Sequence, residues 1–534
     1  MKRIHSLALS SFGSALLVAT VVGSFLANTA LAAPHPESKW RPEPTNGDWN
    51  LAENWSPVGV PNSDNAQATF DFSTITDVTT PFSLVHAITF NPDASEFTID
   101  GQITFNGGGV TNNSSEMQTF NGTFRFDKGA IGGNELITYN SSSVTFYTGS
   151  SAGSATYVNN GTMRFSGTPH NSGGRPNTAG DSTIINHSSL SFRESDAGTA
   201  TITNDGGTSF GEAGATTSFV RSGAGASTII SHGGQVFGAR GAQVSFSRSD
   251  ANSATLIANG GAGPGSGAKI VFRKFSSGDL ARIEIFGNGN LDVSRPDPSN
   301  DSVGSIEGDG LIFLGSSSLN VGANDLSTTF DGVISDMGGI KDGTGGSLIK
   351  SGAGDLTLTN DNTYTGGTTV SSGTLFVNNP TGSGTGSGPV AVNAGTFGGN
   401  GASAGSVTIG VGNGAGATLA AGAAAGQIGT FATSSSLAFN ADGLCSEEVN
   451  STAVAADETV ANGVSIAPGS RFALTDLGNG SIPTGTVFIV ISNTSATPIA
   501  GTFANLGDGS TTTVGANNYQ ASYDGGDGND LTLT

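Results

Sequence analysis

The chain is predicted to be all-β and to wind as a β-solenoid, and three observations carry that prediction. The first is a ladder. Six segments (ITYNSSSVTF, ATYVNNGTMRF, STIINHSSLSF, ATITNDGGTSF, STIISHGGQVF and ATLIANGG) hold Thr138, Thr156, Thr183, Thr201, Thr228 and Thr255, whose numbers step by 18, 27, 18, 27 and 27; one more step of 27 reaches Arg282. A nine-residue unit holds a strand of about five residues and a turn of about four. Two or three such units close one coil, so the steps suggest coils of two or three faces. The second is composition: 83 of 534 residues are glycine and 12% are charged, a turn-rich chain without the charge density of a disordered one. The third is alternation. Runs such as ITFNPDASEFTIDGQITF, TFRF and LTLT repeat apolar residues at period two between Gly, Asn, Asp and Ser, the signal of strands and turns.

Taken in order, residues 1–32 are predicted to be a secretory signal peptide. Lys2 and Arg3 precede an apolar run that ends in Ala30-Leu31-Ala32, a small-x-small cleavage site. No later run approaches the roughly 20 apolar residues that span a bilayer, so no membrane-spanning segment is expected in the mature chain. Residues 33–83 are assigned to an N-terminal cap, because a solenoid exposes an open core at each end. All three tryptophans, Trp40, Trp49 and Trp55, fall there. They are expected to plug the core, and the competing role is an aromatic platform for sugars.

Residues 84–298 form the solenoid of nine-residue units. Phe165, Phe192, Phe210 and Phe237 each lie nine residues after a ladder threonine, with Phe219 and Phe246 nine further on; all are predicted to be interior rungs. Asn140, Asn159, Asn160 and Asn204 precede turns, either as a stacked hydrogen-bonded ladder or as ordinary turn formers. Over 299–440 the spacing changes: Leu375, Phe397 and Leu419 recur with a period of 22. The stretch TGSGTGSGP (381–389) falls inside that period and is read as a turn between coils rather than a linker. Residues 441–534 are assigned to C-terminal coils and a cap.

The segment SLIKSGAGDLTLTNDNTYTGGTTVSSGTLFV resembles the autotransporter-associated β-strand repeat of bacterial passenger domains. VGSIEGDGLIFLGSSSLNVGANDLSTTFDGVISD resembles the stretch that leads into it, and YDGGDGNDLTLT the tail that closes such passengers. The resemblance covers roughly 300–534. It implies a right-handed parallel β-helix, exported from a Gram-negative-type bacterium and secreted or held at the cell surface. The sequence printed stops at Thr534 without the strands of a C-terminal translocator barrel, so export by that route is not expected and the periplasm stays open as a destination. Roughly 16–20 coils at about 4.8 Å each would make a rod of about 80–95 Å, expected to be monomeric and suited to many weak contacts with extracellular glycans or matrix.

A net charge of −22 with 20 basic residues argues against nucleic acid, whose phosphates need Lys and Arg clusters. One cysteine, Cys445, allows no internal disulfide. None of the six histidines has a partner at zinc spacing, and His187 and His232 read as stacked turn residues. Nucleophile elbows and Walker loops are absent from the sequence. Gly525–Leu533 fits one calcium nonapeptide, making Asp527 and Asp530 candidate ligands. Calcium in that motif lies between stacked copies, and with one copy present a plain Gly-Asp turn is the expected reading. No cofactor and no catalytic residue is assigned. The alternative is a polysaccharide lyase or hydrolase, which would need carboxylates on neighbouring coils. The richest charge mixture is Arg273, Lys274, Asp279, Arg282 and Glu284, read here as a solvated strand face.

Overall fold

The ladder threonines stack in register. Each pairs with the next in parallel: Thr138 with Thr156, then Thr183, Thr201, Thr228, Thr255 and Arg282. The structure is a computed structural model that describes residues 36–167, 176–273, 275–294 and 301–534; the predicted signal peptide, His170 and Lys274 lie outside them. Residues Pro36–Thr534 make one unit, a parallel β-helix without α-helix among the described residues. No helix there is long and apolar enough to cross a membrane.

Each coil has three faces. In the coil that starts at Thr183 the first face is Thr183–Asn186, the second Ser189–Arg193 and the third Ser195–Asp196. Because side chains alternate across a strand, each face contributes one inward column. The first supplies Tyr139, Tyr157, Ile184, Ile202, Ile229, Leu256 and Ile283, all fully buried. The second supplies phenylalanines: Phe126, Phe146, Phe165, Phe192, Phe219, Phe246 and Phe272 stack with ring centroids 4.5–5.0 Å apart. Alanines such as Ala197, Ala224 and Ala251 fill the narrow third corner. The threonines point outward.

Short and long coils have the same three faces, so the extra nine residues of a long coil do not add a face. In the Thr183 coil two residues, 187–188, join the first face to the second. In the Thr201 coil eleven residues, 205–215, separate Thr201–Asn204 from Thr216–Val220, a surplus of nine. In the Thr156 coil the same surplus falls at another corner. Ten residues, 167–176, separate the strand Thr156–Ser166 from Asn177–Thr178, where Glu194 alone does so one coil later. This corrects two predicted rungs. Phe210 and Phe237 sit in the excursions 205–215 and 232–242 and are 79% and 70% exposed, and the rung positions of their coils are filled by Phe219 and Phe246.

The asparagines at the first corner make the stacked ladder. Asn159 donates from Nδ2 to Asn186 Oδ1 at 2.8 Å, Asn186 to Asn204 at 2.7 Å, and Asn204 to Ser231 Oγ at 3.3 Å. Asn159 and Asn186 also donate to the carbonyls of Ser189 and Thr216. All three amides are buried; Asn140 stacks on Asn121 outside, and Asn160 is exposed. Replacing Asn186 by leucine removes the side-chain acceptor of Asn159 Nδ2 and one of the two donors to Asn204 Oδ1, and so breaks the buried ladder at its centre. We expect a loss of about 1–3 kcal/mol, readable as a lowered urea midpoint; an unchanged midpoint would remove the ladder from the list of stabilising features.

Beyond residue 300 the large sheet runs on to Val333–Ser335, and three further sheets carry the helix onward. Leu375, Phe397 and Leu419 are in-register neighbours, which accounts for the longer period seen there. The stretch 381–389 is a packed turn: Thr385 is fully buried and its hydroxyl lies 2.9 Å from that of Ser403. Parallel winding ends at Phe488–Asn493, which pairs antiparallel with Asp530–Leu533, itself antiparallel to Asn517–Gly525. Such a hairpin layer closes the last coil.

Candidate functional site

At the N-terminal end the three indoles and Phe70 form one cluster, with Trp40–Trp55 and Trp49–Trp55 centroids 5.0 and 4.8 Å apart near edge-to-face. Each indole N–H is spent on a carbonyl: Trp40 on Ile75, Trp49 on Pro61 and Trp55 on Trp49. Their exposures are 1%, 0% and 0%. A sugar platform needs an open ring face, so the glycan role considered for Trp40, Trp49 and Trp55 does not fit these residues, which plug the first coil.

The nonapeptide-like turn also departs from a calcium site. Gly525–Leu533 is the bend of an antiparallel hairpin, whereas the calcium geometry requires parallel coils that stack one turn on the next. Asp530 is buried and accepts from the Asn493 amide at 2.8 Å, while Asp527 is exposed. The two carboxylates do not converge. Among the described residues no group of three His, Cys, Asp or Glu is placed to hold a metal ion. His187 stacks between coils with Nδ1 2.7 Å from Asp205, and His232 contacts Asn259 in the same corner column.

A groove on the first face gathers chemistry that sequence spacing did not reveal. Its floor is a row of outward side chains from successive coils: Glu284 beside Glu307, then Thr329, Thr357 and Phe376. With its walls the groove encloses about 540 Å³. Arg282 pairs with Ser305, a step that is not a multiple of nine, and so Glu307 escaped the ladder. Arg282 ties the row together. Its Nε lies 3.2 Å from Glu284 Oε1 and hydrogen-bonds Glu307 Oε1 as well. The bond to Glu307, backed by both carboxylate charges, raises the guanidinium pKa above its already high ordinary value. Thus two residues of the charge mixture, Arg282 and Glu284, face this groove, Arg282 exposed and ion-paired with Glu284 and Glu307.

Phe286 edges the same groove. One carbon of its ring lies beside Gly308, 3.2 Å from where a Cβ would sit, and Gly308 holds φ +97°, a conformation that favours glycine. Phe286 remains 39% exposed. Phe210 and Phe237 use the same device over Gly238 and Gly263. Three exposed phenylalanines, Phe210, Phe237 and Phe286, thus line the first corner, whereas the tryptophans are buried. Their signal in the sequence is an aromatic inside a Gly-rich insert, SFGEAG and VFGARG.

A second cleft, of about 560 Å³, opens at the third corner between Glu194, Arg221, Arg248 and Asp250. Arg221 pairs with Glu194 across coils at 3.0 Å. Asp196 accepts from the Gly198 amide at 2.6 Å, and burial raises its pKa against that bond.

The 300–380 region has its own lock. Lys350 is buried where the coil turns and donates from Nζ to the carbonyls of Ser351, Gly352 and, one coil on, Ser372, at 2.6, 3.1 and 3.3 Å. Desolvation lowers its pKa, with Asp355 and Asp325 opposing. The stretch from Leu348 to Val377 holds one full coil step, Leu348 to Thr368, and the strand pair Asp355–Leu358 with Thr374–Val377. Among curated proteins none matches the chain. Residues 348–377 match the family model of the passenger-associated-transport-repeat, so this coil of the helix is an autotransporter passenger-type repeat.

Proposed function

We propose that this chain is an exported, passenger-like protein of a Gram-negative-type bacterium that works at the cell surface or after release, as a structural and adhesive element. The carrying observation is the passenger-type repeat at 348–377, wound as an integral coil of the parallel helix. Outward rows repeat from coil to coil, and a surface that repeats one contact many times gains avidity from weak individual contacts. The partners are extracellular glycans or matrix, and the action is binding without turnover. Fractionating the native bacterium tests the first half: the chain is expected in the outer-membrane fraction or the medium, and cytoplasmic recovery defeats export. Adhesion is tested by retention of purified protein on cells, matrix and immobilised glycans. Retention on none of them leaves a purely structural element.

One observation favours a second reading. Glu284 and Glu307 are carboxylates on neighbouring coils, the arrangement a polysaccharide hydrolase or lyase would need. Arg282 engages both, which is why binding is preferred. Release of reducing ends or unsaturated products from a polysaccharide panel, lost in Glu307→Gln, would replace the adhesive reading with the enzymatic one.

A further inference from the structure

We propose that the first-face groove is the glycan site and that it takes an uncharged, extended oligosaccharide. This rests on the adhesive reading above and names its ligand class and place. The floor from Glu284 to Phe376 crosses five coils, hence four steps of about 4.8 Å, or about 19 Å. One step is close to the length of one pyranose in an extended chain, so successive sugars meet equivalent positions.

The lining suits hydroxyls. Glu284 and Glu307 offer acceptors held in place by Arg282, and Thr329 and Thr357 offer hydroxyls that donate or accept. Phe286 is 39% exposed at the edge, with a ring carbon close to Gly308, and offers apolar ring surface to the C–H groups of a sugar. Charge then chooses among glycans. Arg282 contributes +1 and Glu284, Glu307 and Asp355 contribute −3, so the lining carries −2, on a chain of net charge −22. Uronates, sulfated sugars and sialic acids meet repulsion there.

The site is built before ligand arrives. Arg282 already engages both glutamates, so little side-chain ordering remains to oppose binding. The third-corner cleft differs: Arg248 makes no ion pair among the described residues, and the floor alternates Asp196, Gly223 and Asp250.

The test uses the full chain and uncharged oligosaccharides of two to six β-linked hexoses, alongside uronate oligomers of matched length, in calorimetric titrations. Affinity for the uncharged series is expected to rise with length and level off near four units. Phe286→Ala is expected to weaken it about tenfold, which is about 1.4 kcal/mol, and Glu307→Gln to weaken it as well. Both variants should keep the wild-type thermal midpoint to within a few degrees, because both positions are partly exposed. Arg248→Ala, in the other cleft, should bind as wild type. Equal or tighter binding of the uronates overturns the proposal, as does wild-type affinity in Phe286→Ala. If those results come with retention on immobilised glycans intact, the groove assignment falls and the adhesive reading stands. Absence of any retention on glycans, cells or matrix ends both.

Discussion

Replacing Phe192 with alanine is expected to destabilise the helix by about 3–5 kcal/mol, whereas Phe237→Ala should change stability by no more than about 0.5 kcal/mol. Both residues lie nine after a ladder threonine, Thr183 and Thr228. Phe192 is fully buried between Phe165 and Phe219, each 4.7 Å away and stacked nearly parallel to it. Truncation there opens a cavity whose walls are strands pinned in register on both sides, so the site has little freedom to collapse. Phe237 is 70% exposed in the excursion 232–242. Urea denaturation and hydrogen exchange of the paired variants would decide it, exchange being useful because a repeat array opens in parts. Similar losses in the two variants would mean that the excursions are part of the core.

Lowering the pH from 8 to 5 is expected to stabilise the C-terminal coils. Glu447 is fully buried, with Oε1 accepting from Thr459 and Cys445 and with Oε2 unpartnered. Burial, and then the charge of Asp457, pushes its pKa up to about 8; burial, and then Glu448, pushes Asp457 up to about 7. Both are raised above the unfolded values of 4.5 and 3.8. A raised carboxyl pKa means that the folded protein binds the proton more tightly than the unfolded chain. Its contribution is fully present below the unfolded pKa and is lost as pH climbs through the folded one. For Glu447 the slope reaches about 1.4 kcal/mol per pH unit between roughly pH 5 and 8, flattening above. Asp457 adds in the same direction up to about 7. Thermal melts across this range should therefore show a falling midpoint toward pH 8. Glu447→Gln should be more stable than wild type at pH 8 and show a shallower profile. A flat wild-type profile, or an unchanged slope in the variant, would place the proton elsewhere.

The winding was legible in the sequence because Thr138 to Thr255 keep one phase, and each of these threonines pairs in parallel with the next. The Trp cluster was legible as a plug for the same reason any open core needs one. What misled was arithmetic. An insert of nine residues preserves the phase modulo nine, so Phe210 and Phe237 look like rungs while standing outside the coil. The groove was hidden for the opposite reason: Glu307 pairs with Glu284 across a step that no multiple of nine predicts. Which carboxylates become neighbours depends on corner length, and corner length leaves no periodic trace once the period itself drifts.

The nine-residue surplus has a further consequence. It falls at the first corner in the Thr201 and Thr228 coils, yet the phenylalanine column passes both without a break. The column counts turns of the winding and ignores how much backbone is spent between them. That corner is thus a port for grafted sequence: a foreign loop placed at 205–215 should ride outside an undisturbed spindle, while a single residue added within Ser189–Arg193 should jam it.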